Sequence, residues 1–141
     1  MQPAYTPDLS ALQARLDRSP FNAWLGLQLV SGGDGEAVLD LPWNDLFVST
    51  PERQVAHGGI LAALIDAAAI YALICSTGRL FATVDLRIDY HAGARPGLLR
   101  ASAKALRIGR ALSTSEARVT DSSGQMVASG RGLFTALDLP A

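Results

Sequence analysis

Hydrophobic and polar positions along this chain change rhythm twice. In residues 8–18, Leu9, Leu12 and Leu16 recur at helical spacing, and the run stops before Ser19-Pro20, as proline requires. Residues 25–30 and 36–41 read as two strands around Ser31-Gly32-Gly33-Asp34-Gly35, a hairpin-type connection. Residues 42–54 read as irregular, with a second turn signal at Pro51. One long apolar stretch rich in Ala, Leu and Ile follows over residues 58–75, and after it the chain turns to strands. In residues 83–90, Val84, Leu86, Ile88 and Tyr90 alternate with Thr83, Asp85, Arg87 and Asp89, the period-two pattern of a strand with one buried face. Residues 98–108, 111–121 and 125–137 continue as antiparallel strands, joined near Gly109-Arg110 and through Asp121-Ser122-Ser123-Gly124.

The predicted order is a short helix, two strands, one buried helix and then four long strands. A helix that is apolar on nearly every side needs cover all round, and a curved antiparallel sheet wrapped around it supplies that cover. This is an α+β arrangement, the hotdog fold. It predicts a single domain over residues 1–141, with residues 1–24 as an N-terminal helical segment before the core. The apolar stretch is also within the range of about 17–25 residues that spans a membrane. Asp66 at its middle, its many alanines and the amphipathic strands that follow argue against that use.

Composition narrows the function. The chain is 49% hydrophobic and 18% charged, which is globular, and its formal net charge of -1 gives no basic field for nucleic acid or an anionic membrane surface. An anionic ligand must therefore be held by a few placed Arg or Lys side chains. One cysteine, Cys75, and two histidines, His57 and His91, leave no internal disulfide and no zinc cluster to expect. The N-terminus has no basic segment followed by an apolar one, so the expected location is cytoplasmic.

Candidate chemistry gathers on the long helix. His57-Gly58-Gly59 stands at its start, where the first N–H groups lack intrahelical partners and the helix dipole favours an anion or developing oxyanion. The glycine pair equally fits a tight turn. Asp66 is the only charged residue between Gly59 and Ser76. A carboxylate on a covered helix needs hydrogen-bond partners; the plainer readings are a solvent-facing stripe or pairing with a hydroxyl such as Thr83. Gly59 and Asp66 lie on nearly the same helix face, roughly 10 Å apart along the axis. That is too far for one carbonyl to use both. Two antiparallel copies solve this, because the glycine end of one then lies beside the Asp of the other, and the spacing thus points to a site shared across a dimer interface.

His57-Gly58-Gly59 followed by Leu64-Ile65-Asp66 resembles the helix motif of PaaI-like hotdog thioesterases. Thr83-Val84-Asp85-Leu86-Arg87-Ile88-Asp89-Tyr90 is similar to the family's next strand. Gly109-Arg110, Ala117-Arg118-Val119 with Asp121, and Val127-Ala128-Ser129-Gly130 fit its last two strands. The resemblance covers roughly residues 25–136 and implies acyl-CoA thioester hydrolysis by a homo-oligomer, a dimer or a dimer of dimers (homotetramer), with no cofactor. It implies that the Gly58 N–H polarises the thioester carbonyl, with Gly59 opening the helix. It further implies that Asp66 of the opposing subunit is general base or nucleophile, and that Thr83 holds the water or the carboxylate. His57 then positions the loop or the thioester, or only caps the helix.

Two positions depart from the family pattern. Pro51 stands where an Asn is common, with Gln54 or Asn44 as substitutes. Ala92 and Gly93 stand where an Arg-Pro pair is common, with Arg95-Pro96 three residues later. For the CoA phosphates the candidates are Arg95, Arg107, Arg110 and Arg131, each also a plain surface charge. Leu61, Leu64 and Ala68, with loop residues of a partner such as Trp43 and Phe47, are candidates for the acyl pocket, the aromatics equally for ordinary core. Competing functions are a non-catalytic acyl-CoA-binding or regulatory module, supported by Pro51, and a hydratase or dehydratase, whose motifs are missing. Cys75 as nucleophile fails for want of a neighbouring His.

Overall fold

The computed structural model describes residues 4–140. The first helix, α1 (Leu9–Arg18), is capped by Asp8, whose carboxylate accepts from the Ala11 N–H at 3.0 Å, and it buries Leu12 and Leu16. Ser19 ends α1 and caps a second, short helix, α2 (Pro20–Leu25), which closes at Gly26 with φ 74°. This corrects the expected strand from residue 25. Pro20 stops one helix and, in the first position of the next, starts another, because that position has no N–H to lose. The strand β1 (Gln28–Gly33) begins only after the turn and pairs with β2 (Glu36–Leu41) through Asp34-Gly35, both with positive φ as a two-residue hairpin turn demands.

The segment expected to be irregular holds a single 3-10 turn (Asp45–Phe47) and a small ladder of β3 (Val48–Thr50) with β4 (Val55–Ala56). The long helix α3 (Gly58–Thr77) follows, then β5 (Arg79–Tyr90), β6 (Leu99–Arg107), β7 (Leu112–Thr120) and β8 (Met126–Pro140). Six strands form one antiparallel sheet in the order β1-β2-β6-β7-β8-β5, and α3 packs across all of them. The turn expected at residues 121–124 is present: Asp121 Oδ1 accepts from Ser123 and Gln125 N–H, and Gly124 has φ 86°.

Why the helix sits in the sheet is visible in its side chains. Leu61, Leu64, Ile65, Ala68, Ala72, Leu73 and Cys75 are buried against Leu39, Leu41, Leu99, Val119 and Phe134. Backbone and helix come so close at Gly130 that a Cβ there would meet Ile65 at 2.9 Å and the Arg87 carbonyl at 2.6 Å. The helix is long and apolar enough to cross a membrane, with a mean hydropathy of 2.1, but most of that window is buried in this core.

Two expectations are corrected. The sheet does not cover α3 all round: Gly59, Ala62, Ala63, Asp66 and Ile70 form a stripe turned away from it, exposed or half-buried. A single sheet layer covers one side of a helix, and α1 and α2 are too short to close the other. In β5, Leu86 and Ile88 pack on the core, but Val84 and Tyr90 are exposed. The β5–β8 register slips between Thr83 and Asp85, a bulge that takes Val84 out of the alternation.

Candidate active site

The start of α3 is built by its own side chains. His57 Nδ1 accepts from the Gly59 N–H at 2.8 Å, so the imidazole caps the helix in its neutral form with the ring proton on Nε2. The His57 N–H in turn donates to the Phe47 carbonyl at 2.7 Å, tying the cap to the preceding loop. Of the two glycine N–H groups, His57 takes that of Gly59, while that of Gly58 has no acceptor among the described residues. What approaches the glycines is this chain itself. A Cβ on Gly58 would lie 3.1 Å from the Tyr90 ring, and one on Gly59 3.0 Å from His57 Nδ1. The Tyr90 hydroxyl donates to the Gly58 carbonyl at 2.8 Å. Tyr90 was legible only as a strand residue; nothing in its spacing marks it as the support of the helix start.

Two turns further along α3, Asp66 lies half-buried on the outer stripe. Thr83 Oγ1 on β5 donates to Asp66 Oδ1 at 2.7 Å. The hydrogen bond fixes one carboxylate oxygen and leaves Oδ2 without a partner among the described residues. Gly58 and Asp66 of one chain are about 12 Å apart along the helix, at 1.5 Å per residue.

Asp66 opens onto a groove. A hollow of about 230 Å³ is lined by Phe21, Asn22, Ala63, Asp66, Ala67, Ile70 and Tyr71. Asn22, Ile70 and Tyr71 are shared with a second hollow of about 440 Å³, whose further walls include Ile74, Leu80, Phe81, Leu137 and Arg15. Burial pushes the Tyr71 hydroxyl up to about 12. The expected acyl-pocket residues Leu64 and Ala68 are fully buried under the sheet and line neither hollow, because they occupy the helix face opposite the outer stripe. Leu61 is core as well, at the floor of a separate cleft that holds Gly58 and Tyr90. Phe47 is buried against Trp24 and Trp43, so these aromatics pack within one chain.

The remaining candidates are scattered. Gln54 sits at positive φ in a tight turn, and its amide donates to the Pro51 carbonyl at 2.9 Å. Asn44 caps the 3-10 turn, its Oδ1 accepting from the Leu46 N–H at 2.9 Å, and neither side chain hydrogen-bonds Asp66. Arg95 follows Ala94, whose carbonyl accepts from Ala56 N–H, which places it at the Gly58 end of the chain. Arg107 and Arg110 flank the β6–β7 turn, where the Arg110 carbonyl accepts from Arg79, at the opposite end. One chain does not bring these cations together. Arg131 lies directly across from Arg87 on the outer face of the sheet, where both line one shallow hollow. Cys75 is fully buried and its thiol is pushed up to about 11 by burial, which suits core packing and not a thiolate.

A helix enclosed on one side by a six-stranded antiparallel sheet defines a hotdog protein. The sequence profile of the thioesterase superfamily matches residues 53–128, the span from the turn before β4 to the start of β8. Among solved structures, one described as from the thioesterase superfamily is 42% identical, with a TM-score of 0.86 over 90% of this chain and 96% of that one. A conserved protein from Pseudomonas aeruginosa is 32% identical, with a TM-score of 0.79 over 87% and 98%. The E. coli PaaI protein from the phenylacetic acid degradation operon shares the fold, with a TM-score of 0.83 over 93% and 94% at 22% identity. Comparison with curated proteins gave no match. The chain belongs to the thioesterase superfamily.

Proposed function

We propose that this protein is an acyl-CoA thioesterase, and the observation that carries the reading is the Asp66–Thr83 pair at the mouth of an apolar groove. A hydrolase needs an ionised carboxylate beside the place where a thioester carbon can sit. Thr83 holds one oxygen of Asp66, and the other is free for water. Asp66 takes a proton from water as its oxygen attacks the carbonyl carbon. The C–S bond then breaks, and the proton passes to the departing CoA sulfur. Attack by the carboxylate itself, with water opening the resulting anhydride, uses the same group.

The carbonyl oxygen needs a donor, and the Gly58 N–H is the open one at the helix start. Its distance from Asp66 in one chain calls for the partner's helix. The edge strand β5 supports a partner: it is long, pairs only with β8, and exposes Val84 and Tyr90. Phe21 and Trp24, stacked and exposed beside the groove, add apolar surface on the same side as Asp66. Antiparallel pairing of two β5 strands sets the glycine end of one helix beside the other's Asp66. It also brings the Arg95 end of one subunit toward the Arg107–Arg110 end of the other, where the CoA phosphates find their cations. The assembly is then a dimer, or a dimer of dimers.

A non-catalytic acyl-CoA-binding module is the second reading, favoured by Pro51 in the place of the family's common Asn. Thiol release from an acyl-CoA panel by wild type and Asp66→Asn separates the two. Turnover that the variant loses while it stays folded supports the hydrolase. Tight binding without turnover supports the module.

A further inference from the structure

The groove that begins at Asp66 has a cation at its far end. It runs along α3 past Ile70 to Ile74, about 12 Å at 1.5 Å per residue, with Leu80, Phe81 and Leu137 as its opposite wall. Arg15 of α1 is half-buried against this wall, and Arg18 lies exposed one turn on, also lining it. Neither has a carboxylate within ion-pair distance among the described residues. The charge of Arg15 reaches into the groove, since it draws the Tyr71 hydroxyl down against the larger effect of burial.

An anionic ligand group at this point is either the CoA end of the substrate or the end of its acyl chain. The walls decide between them. The pantetheine arm carries amides, which lose free energy along Ile70, Ile74, Leu80, Phe81 and Leu137, where the polar groups besides the two arginines are Ser19, Asn22 and the Tyr71 hydroxyl. A polymethylene chain meets no such cost. We infer that the groove takes an acyl chain of medium length whose distal end is a carboxylate, and that Arg15, with Arg18, is its specificity determinant. This inference rests on the thioesterase reading. The arginines sit in the last turn of α1, where cations also complement the helix dipole. That role alone leaves Arg15 indifferent to what the groove holds.

The test compares octanoyl-CoA with suberoyl-CoA, the same chain ending in a carboxylate, by kcat/KM for thiol release. Wild type is expected to favour suberoyl-CoA by about tenfold, the worth of one charge-assisted hydrogen bond. Arg15→Gln/Arg18→Gln should lower suberoyl-CoA turnover to the level of octanoyl-CoA and so erase that preference, while Arg15→Lys retains most of it. Equal rates for the two esters in wild type, or an equal loss for both in the double variant, overturn the inference alone; the latter assigns the arginines to the CoA end or to the fold. Turnover of neither ester by a protein that releases thiol from other acyl-CoAs also overturns the inference alone, whereas no turnover across the whole acyl-CoA panel overturns the thioesterase reading, and this inference with it.

Discussion

Thr83 donates a 2.7 Å hydrogen bond to Asp66 across the space between β5 and α3. The two residues are held there by different forces. Asp66 rides on a helix fixed by its buried face, and Thr83 precedes a bulge that releases β5 from strict alternation. Their meeting orients the one carboxylate on the outer stripe of α3. Asp66→Asn keeps an oxygen for Thr83 and so should leave the thermal midpoint near wild type. Thiol release should fall by roughly a hundredfold to ten-thousandfold, the usual worth of a general base.

Thr83→Val removes the donor while keeping the shape of the side chain. A hydrogen bond to a charged group is worth about 1.5–3 kcal/mol, so kcat should fall at least about tenfold. Thr83→Ser should restore most of it. Steady-state kinetics on the three proteins checks the role of the hydroxyl.

The helix start depends on Tyr90. Gly58→Ala puts a Cβ 3.1 Å from its ring, so ring and helix must shift apart. Activity should drop while the far end of the fold, followed by amide exchange in β6 and β7, stays protected. Tyr90→Phe keeps the ring and loses only the bond to the Gly58 carbonyl, a cost of about 1 kcal/mol in denaturant unfolding.

Ile70 belongs to both hollows of the groove. Ile70→Trp should fill it, raising KM for octanoyl-CoA at least about tenfold with little effect on acetyl-CoA. An unchanged KM for the longer ester would place the acyl chain elsewhere.

Alkaline stability should report Cys75. Its thiol titrates at about 11 in the fold against an ordinary 9.0, so between these values the unfolded chain has lost a proton that the native one keeps. The unfolded state then binds fewer protons, and stability falls as pH rises from 9 toward 11. Tyr71, raised from 10.0 to about 12, adds to the fall from pH 10 upward. Cys75→Ala should flatten the first part of the curve in pH-dependent thermal melts. Native protein should also resist a thiol reagent that labels the denatured chain.

Periodicity and composition alone determined the order of elements, the long apolar helix and the four strands after it, because buried side chains repeat every 3.6 or 2 residues whatever lies opposite. The same reading picked out Asp66 as an isolated charge, and named Thr83 as a hydroxyl able to reach it. It missed α2, since Pro20 reads equally as an end and as a beginning. It also put Leu64 and Ala68 on the wrong side of α3. An all-apolar helix has no polar face to show which side the sheet takes, and only packing chose the outer stripe of Gly59, Ala63, Asp66 and Ile70. The groove, the Tyr90 support and the place of Arg15 belong to tertiary structure for a common reason. Each joins residues far apart in the chain, and the distances that bring them together are set by the sheet's curvature and the core beneath it, not by local spacing.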